Sequence, residues 1–192
     1  MARCIVSKAG RIRRQQLLRQ AEGYLELILS SDSADALDPQ LRDKLATRCL
    51  DRLAECEKEV NEKGHLLYLR GEAYRLMERY ADAISPLTQA IEFDSENVFI
   101  YLALAWCHKR TGNLDLAIDA LEQGLEIDYA LAILHYNLAC YWALLNRPKL
   151  AVSYLSTAFE IDSAYRDLVP DEADFDPIRQ HPDFLAITTV IV

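Results

Sequence analysis

The sequence predicts an all-α fold, built from antiparallel helix pairs repeated along the chain. Three observations lead there. The chain carries an internal period of 34 residues, and its apolar residues recur at helical spacing from about residue 11 to Ile161. Glycine and proline number six each in 192 residues, too few for the many tight turns of a sandwich or barrel. Alanine and leucine dominate the 51% that is apolar. Both lose little rotamer freedom in a helix, so composition and periodicity agree.

Three copies of the period align as 64–97, 98–131 and 132–165. Four columns are identical in all three: Ala83/Ala117/Ala151, Leu87/Leu121/Leu155, Glu92/Glu126/Glu160 and Asp94/Asp128/Asp162. Chance would give roughly one such column in a hundred, so the repeat is real. Other columns keep size and polarity, among them Gly71/Ala105/Ala139, Ala90/Gly124/Ala158 and Phe93/Ile127/Ile161. Each copy holds two helical stretches. In the second copy these are Phe99 to Arg110 and Leu114 to Ile127, with Gly112 placed for the left-handed turn that ends a helix. Asp115 opens the next helix, where a carboxylate meets the positive end of the dipole. Small residues recur where two helices must approach closely, with large ones such as Leu67, Tyr101 and His135, then Tyr74, His108 and Trp142, facing them.

In these columns the chain resembles the tetratricopeptide repeat family. The third copy fits best, with His135-Tyr136-Asn137-Leu138-Ala139, Trp142, Ala151, Leu155 and Ala158. The resemblance implies a right-handed α-solenoid in which the first helix of each pair lines a concave groove. One departure stands out. The family often closes a repeat with proline, whereas Ser95, Tyr129 and Ser163 stand here, so the turns are expected to be less sharply set.

The flanks read as caps, giving an expected division into 1–63, 64–165 and 166–192. Residues 11–30 form one helix with Leu17, Leu18, Ala21, Tyr24, Leu25 and Ile28 as its stripe. Asp38-Pro39 opens a second, reaching about Val60, with Leu41, Leu45, Cys49, Leu53 and Cys56 on one face. A polar loop, Ser30 to Leu37, joins them. After the third copy, Ser163 to Leu168 starts a capping helix. The stretch from Pro170 to Leu185 then resembles the closing segment of many bacterial members of the family. Phe175, Ile178, Phe184 and Leu185 would cover the open end. The tail from Ile187 to Val192 has strand-like composition. It either packs down, adds a strand to a partner or offers a carboxyl-terminal ligand.

Net charge is −9, unevenly placed. The first 20 residues hold six of the 21 basic residues and none of the 30 acids. The remaining body is therefore strongly acidic and disfavours nucleic acid. The basic start, with Arg11, Arg13 and Arg14 as candidate contacts, reads first as a solvated helix end. An acidic partner, a membrane surface, RNA or an organellar transit function are the other readings. No apolar run is long enough to span a membrane, no secretory signal is evident, and a soluble cytoplasmic chain is expected. The five cysteines are odd in number and form no CxxC, so they read as small buried hydrophobes in a reducing compartment.

No phosphate loop, GxSxG or HExxH occurs, so no enzyme and no cofactor are expected. No metal is expected either: His108 and His135 lie near Cys107 and Cys140 in repeat register, but they occupy packing columns. The expected function is a protein–protein interaction module. The resemblance places its groove on His65, Tyr68, Leu69, Glu72 and Arg75 of the first copy. It adds Phe99, Leu102, Ala103, Trp106 and Lys109 of the second, then Ile133, Tyr136, Asn137, Cys140 and Leu144 of the third. The centre is apolar and suits an apolar peptide or amphipathic helix, unless the protein's own terminal segment fills it. Family members that hold acidic chaperone carboxyl termini use basic residues at positions that match Tyr68, Glu72, Ala103, Ile133 and Asn137. None of these is basic, so that ligand is not expected. The alternative reading is a self-assembling scaffold, stacked end to end through the basic start and acidic body.

Overall fold

The computed structural model describes residues 8–30, 37–56 and 63–189. They form nine α-helices and two 3₁₀-helices, with no strand among the described residues. The α-helices are α1 (Lys8–Leu29), α2 (Pro39–Cys56), α3 (Lys63–Leu76), α4 (Tyr80–Ile91), α5 (Val98–Arg110), α6 (Leu114–Ile127), α7 (Ala132–Leu144), α8 (Pro148–Ile161) and α9 (Pro182–Thr188). The 3₁₀-helices span Ser163–Leu168 and Ala173–Ile178. The chain divides into two compact units, Met1–Cys107 and His108–Val192, so the division falls within α5.

In the first unit α1 packs on α2 and α3, α2 on α3, and α3 on α4. The core joins Leu17, Leu18, Ala21 and Leu25 of α1 to Cys49, Leu53 and Cys56 of α2 and Leu66, Leu69 and Ala73 of α3. The α1 stripe read from sequence is therefore the buried face. On α2, Leu41 lies outside the core and is exposed, because it sits in the first turn. Asp38 caps that helix: the Leu41 amide donates to Asp38 Oδ2 at 3.3 Å. Val60 and the loop 31–36 lie outside the described residues, as do Cys4 and the tail 190–192.

The α3–α4 pair shows what the identical columns do. A Cβ on Gly71 would stand 2.4 Å from Leu87 Cγ, far inside van der Waals contact. Glycine is needed at this position because the leucine of the next helix fills the space. Ala83 and Leu87 are fully buried, and so are their equivalents Ala117, Leu121, Ala151 and Leu155. Between the helices of each pair, Glu78, Gly112 and Asn146 adopt left-handed φ of 58°, 82° and 53°. These positions are one period apart. Gly112 reveals the turn in the sequence, but Glu78 does not.

In the second unit α7 packs on α6 and α8, while α9 and the Ser163–Leu168 turn pack on α8. The turns after α6 and α8 are set by the recurring aspartate. Asp128 Oδ1 accepts the Ala130 amide and Asp162 Oδ1 accepts the Ala164 amide, each at 3.0 Å. This local bond replaces the missing proline and defines the turn without it. The tail differs from its strand-like composition. Ile187 and Thr188 end α9, which His181 caps by accepting the Asp183 amide through Nδ1 at 3.3 Å.

Two expectations follow. Gly71→Ala gains about 1 kcal/mol of helix propensity but overpacks the α3–α4 seam, which costs about 1–3 kcal/mol. The variant should melt at lower temperature than the parent. Adding Leu87→Ala should cost less in the variant than in the parent, measured by urea unfolding. Second, burial pushes the Cys49 and Cys107 thiols up to about 12. Both should resist a thiol reagent at pH 8 in the native protein and react at once in denaturant.

Candidate partner-binding faces

On α3, the expected groove residues divide. Tyr68 is half-buried against the core, and burial, with the nearby Glu72 charge, pushes its phenol up to about 12. Leu69 and Glu72 are buried, which corrects their assignment to an open surface. Leu69 belongs to the α1–α2–α3 core. Glu72 can be buried because Arg75 clasps it in a two-pronged pair, Nε to Oε1 and Nη2 to Oε2, both 2.8 Å. Burial works against the Arg75 charge, but the bonds to Glu72 and its negative charge outweigh it and leave the guanidinium pKa raised. Cys107, on the inner side of α5, lies in the field of this pair.

The outer side of α5 is different. Phe99 is 58% exposed and Trp106 38% exposed, with Leu102 half-buried between them. Their spacing of three and then four residues sets them along one helix face. The helix is apolar around most of its circumference, from Val98 to Cys107. Its inward residues Ile100, Ala103, Leu104 and Cys107 are buried. Nothing polar takes over the outward stripe until His108 and Lys109.

On α7 the expected surface is covered by the protein itself. Tyr136 and Cys140 are buried, and Ile133 and Asn137 half-buried. The Ala173–Ile178 turn lies on α7. The Tyr136 ring meets Phe175 edge-on at 5.8 Å and Tyr165 at 5.0 Å, and Phe175 continues to Phe184 at 5.3 Å. Lys109, expected at a groove edge, instead pairs with Asp174 and lies 5.5 Å from the Tyr141 ring centre. Tyr136 and Cys140 were thus misplaced as open groove positions, because a 3₁₀ segment more than 30 residues away folds back over them. Burial raises both groups' pKa well above the ordinary range. The next contributors are Cys140, Glu172 and Asp174 for Tyr136, and Glu172 and Asp174 for Cys140.

The covering segment is itself held by arginines. Arg179 donates to the Val169 carbonyl at 3.1 Å, the Glu172 carbonyl at 2.6 Å and Asp176 Oδ1 at 2.6 Å. Arg166 lies over the Phe159 ring and donates to the Ile187 carbonyl at 2.9 Å. The sequence marked Phe175, Ile178 and Phe184 as a seal, and these are buried, while Leu185 is 42% exposed. It offered no signal for the arginine braces.

Of the candidate basic contacts, Arg11 and Arg13 are exposed and Arg14 is half-buried. Arg13 reaches Glu55 only at 3.8 Å and keeps 76% of its side chain exposed. Of the two histidines in packing columns, His135 is buried with its Nε2 bonded to the Tyr129 carbonyl at 2.8 Å, while His108 is half-buried. No described helix is long and apolar enough to cross a membrane.

Comparison with known proteins fits this geometry. The tetratricopeptide repeat family model matches residues 74–135. No curated protein sequence matches the chain. Among solved structures, MamA aligns with a TM-score of 0.59 at 17% identity, over 84% of this chain and 98% of MamA. The AMB-1 form of MamA gives 0.58 at 20% identity, over 83% and 97%. YrrB, a TPR protein with an unusual peptide-binding site, gives 0.60 at 20% identity, over 82% and 84%. At such identities these likenesses speak to the fold. Together with the helix pairs in 34-residue register, they show the all-α helix-pair fold of tetratricopeptide-repeat structures, with the family match itself confined to residues 74–135.

Proposed function

We propose that the chain is a protein–protein interaction module that holds a partner polypeptide on the outer stripe of α5. The observation that carries this reading is the exposure of Phe99 and Trp106 on one helix face. Large aromatic side chains that keep exposed surface along one stripe mark a contact surface, and tryptophan is among the residues most often decisive in such contacts. The peptide-binding site of YrrB, a protein of like fold, supports the same reading.

The chemistry of the stripe selects the partner. Phe99, Leu102 and Trp106 suit an apolar or amphipathic segment. An acidic chaperone peptide is disfavoured, because Glu72 already occupies Arg75 and Asp174 occupies Lys109. Nucleic acid is disfavoured by the acidic body. The partner is another protein or a second copy of the chain. Exposed Arg11 and Arg13 would serve a second copy, and gel filtration at low and high salt separates the cases, since salt dissolves charge-driven self-assembly. Residues Tyr136 and Cys140 are assigned to internal packing rather than to the partner.

Trp106→Ala should leave helical dichroism and melting temperature nearly unchanged while weakening partner capture by roughly thirtyfold, about 2 kcal/mol. A photo-crosslinker at Phe99 should label the same partner, and one at Gln123 should not. A Trp106→Ala protein that is strongly destabilised, or that still captures the partner fully, removes α5 from the account. A chain ending at Ser163 should lose stability or aggregate, because Tyr136 and Phe159 lose their cover. Unchanged melting and a monomeric elution profile would show that the last segment is no cap.

A further inference from the structure

We propose that Cys140, Glu172 and Asp174 bind one divalent cation of the zinc class, which clamps the C-terminal segment onto α7. The three side chains bring a thiol sulfur and two carboxylate oxygens within 4.8 Å of one another. Tetrahedral bonds of about 2.0–2.3 Å put ligand atoms roughly 3.3–3.5 Å apart, so the set must draw in by about 1 Å to hold the ion. A small rotation of the two acids closes the set. The residues come from two elements: Cys140 from the inner face of α7, and the acids from the segment laid across it.

A second observation points into the same place. The Tyr136 side chain is 5% exposed, and its hydroxyl is buried with no hydrogen-bond partner. Its charged and polar neighbours are Cys140, Glu172, Asp174 and Tyr165. A buried phenol left without a partner is costly. A water in the fourth position of a tetrahedral zinc would donate a hydrogen bond to its oxygen.

Charge bookkeeping agrees. Lys109 pairs with Asp174, and Glu172 brings a second carboxylate beside the Cys140 thiol. When a dication binds and the Cys140 thiol gives its proton to solvent, the thiolate and two carboxylates balance the metal and Lys109. Asp174 keeps Lys109 on Oδ2 and retains lone pairs for the metal. Thiolate ligation selects zinc-class ions over calcium and magnesium, which take oxygen donors. The chain spacing of 32 residues between Cys140 and Glu172 resembles no familiar ligand motif, which is why the sequence alone offers no metal.

The test is titration of Co²⁺ as a spectroscopic probe into the reduced full-length chain, followed by Zn²⁺. One equivalent should produce a sulfur-to-cobalt charge-transfer band, release a proton, raise the melting temperature and be displaced by Zn²⁺. Cys140→Ser should abolish the band and weaken Zn²⁺ binding by at least about 100-fold, since loss of even an outer partner weakens a site about 10–100-fold. Cys107→Ser should keep the band. Absence of a band in the parent, or a band that survives Cys140→Ser, overturns the proposal. If Cys140→Ser fails to fold, Glu172→Gln decides: a drop in affinity of tenfold or more supports the site, and unchanged affinity overturns it.

Discussion

The close approach of α3 and α4 is the constraint on which the rest depends. Leu87 fills the space where Gly71 would carry a side chain. Two helices can meet this closely only if one is stripped of bulk where the other is large. The same exchange recurs as Ala139 with Leu155 in the α7–α8 pair, all fully buried. Once each pair is locked in this register, the faces of its first helix are assigned. One side enters the pair, and the opposite side faces solvent or whatever covers it.

A repeat that buries one face against its neighbour leaves the last repeat with nothing to bury against. The chain solves this by folding residues 163–188 back over α7 and α8. Aromatic rings do most of the covering: Tyr136, Tyr165, Phe175 and Phe184 meet one after another. Polar groups fix the position. Lys109 takes Asp174, and Arg179 adds a side-chain donor to the Val169 and Glu172 carbonyls, which also accept the Glu172 and Phe175 amides.

The two copies that can be compared within single units treat their polar positions differently. In the first, Glu72 and Arg75 neutralise each other within one helix. In the third, Cys140 stands in the Glu72 column, and the acid arrives from the C-terminal segment instead. A buried cation needs an anionic partner in either case. The source of that partner decides whether a face stays open or is sealed. Here the third copy is sealed, and the exposed aromatic stripe is left to α5.

Much of this was legible in the sequence because it is local or periodic. The helices, the 34-residue register, the small-against-large columns and the aromatic seal residues all depend on neighbours a few residues away or on a repeated pattern. The Asp38 cap and the Gly112 turn were legible for the same reason. The left-handed Glu78 was not, because only its place one period before Gly112 marks it. The groove was misread at Leu69, Glu72, Tyr136 and Cys140, all of which lie on the predicted face but are buried. A helical wheel specifies which side a residue takes. It does not specify what lies against that side. Leu69 is covered by α1 and α2, and Tyr136 by a segment some 30–40 residues downstream. Those encounters are contacts between distant parts of the chain, with no spacing rule to announce them. The sequence by itself determined the elements and their repeating register, because those arise from short-range sterics and hydrophobic period. Only the tertiary structure decided which face remains in contact with solvent and which thiol meets which carboxylates, because chain return brings together residues that share no local pattern.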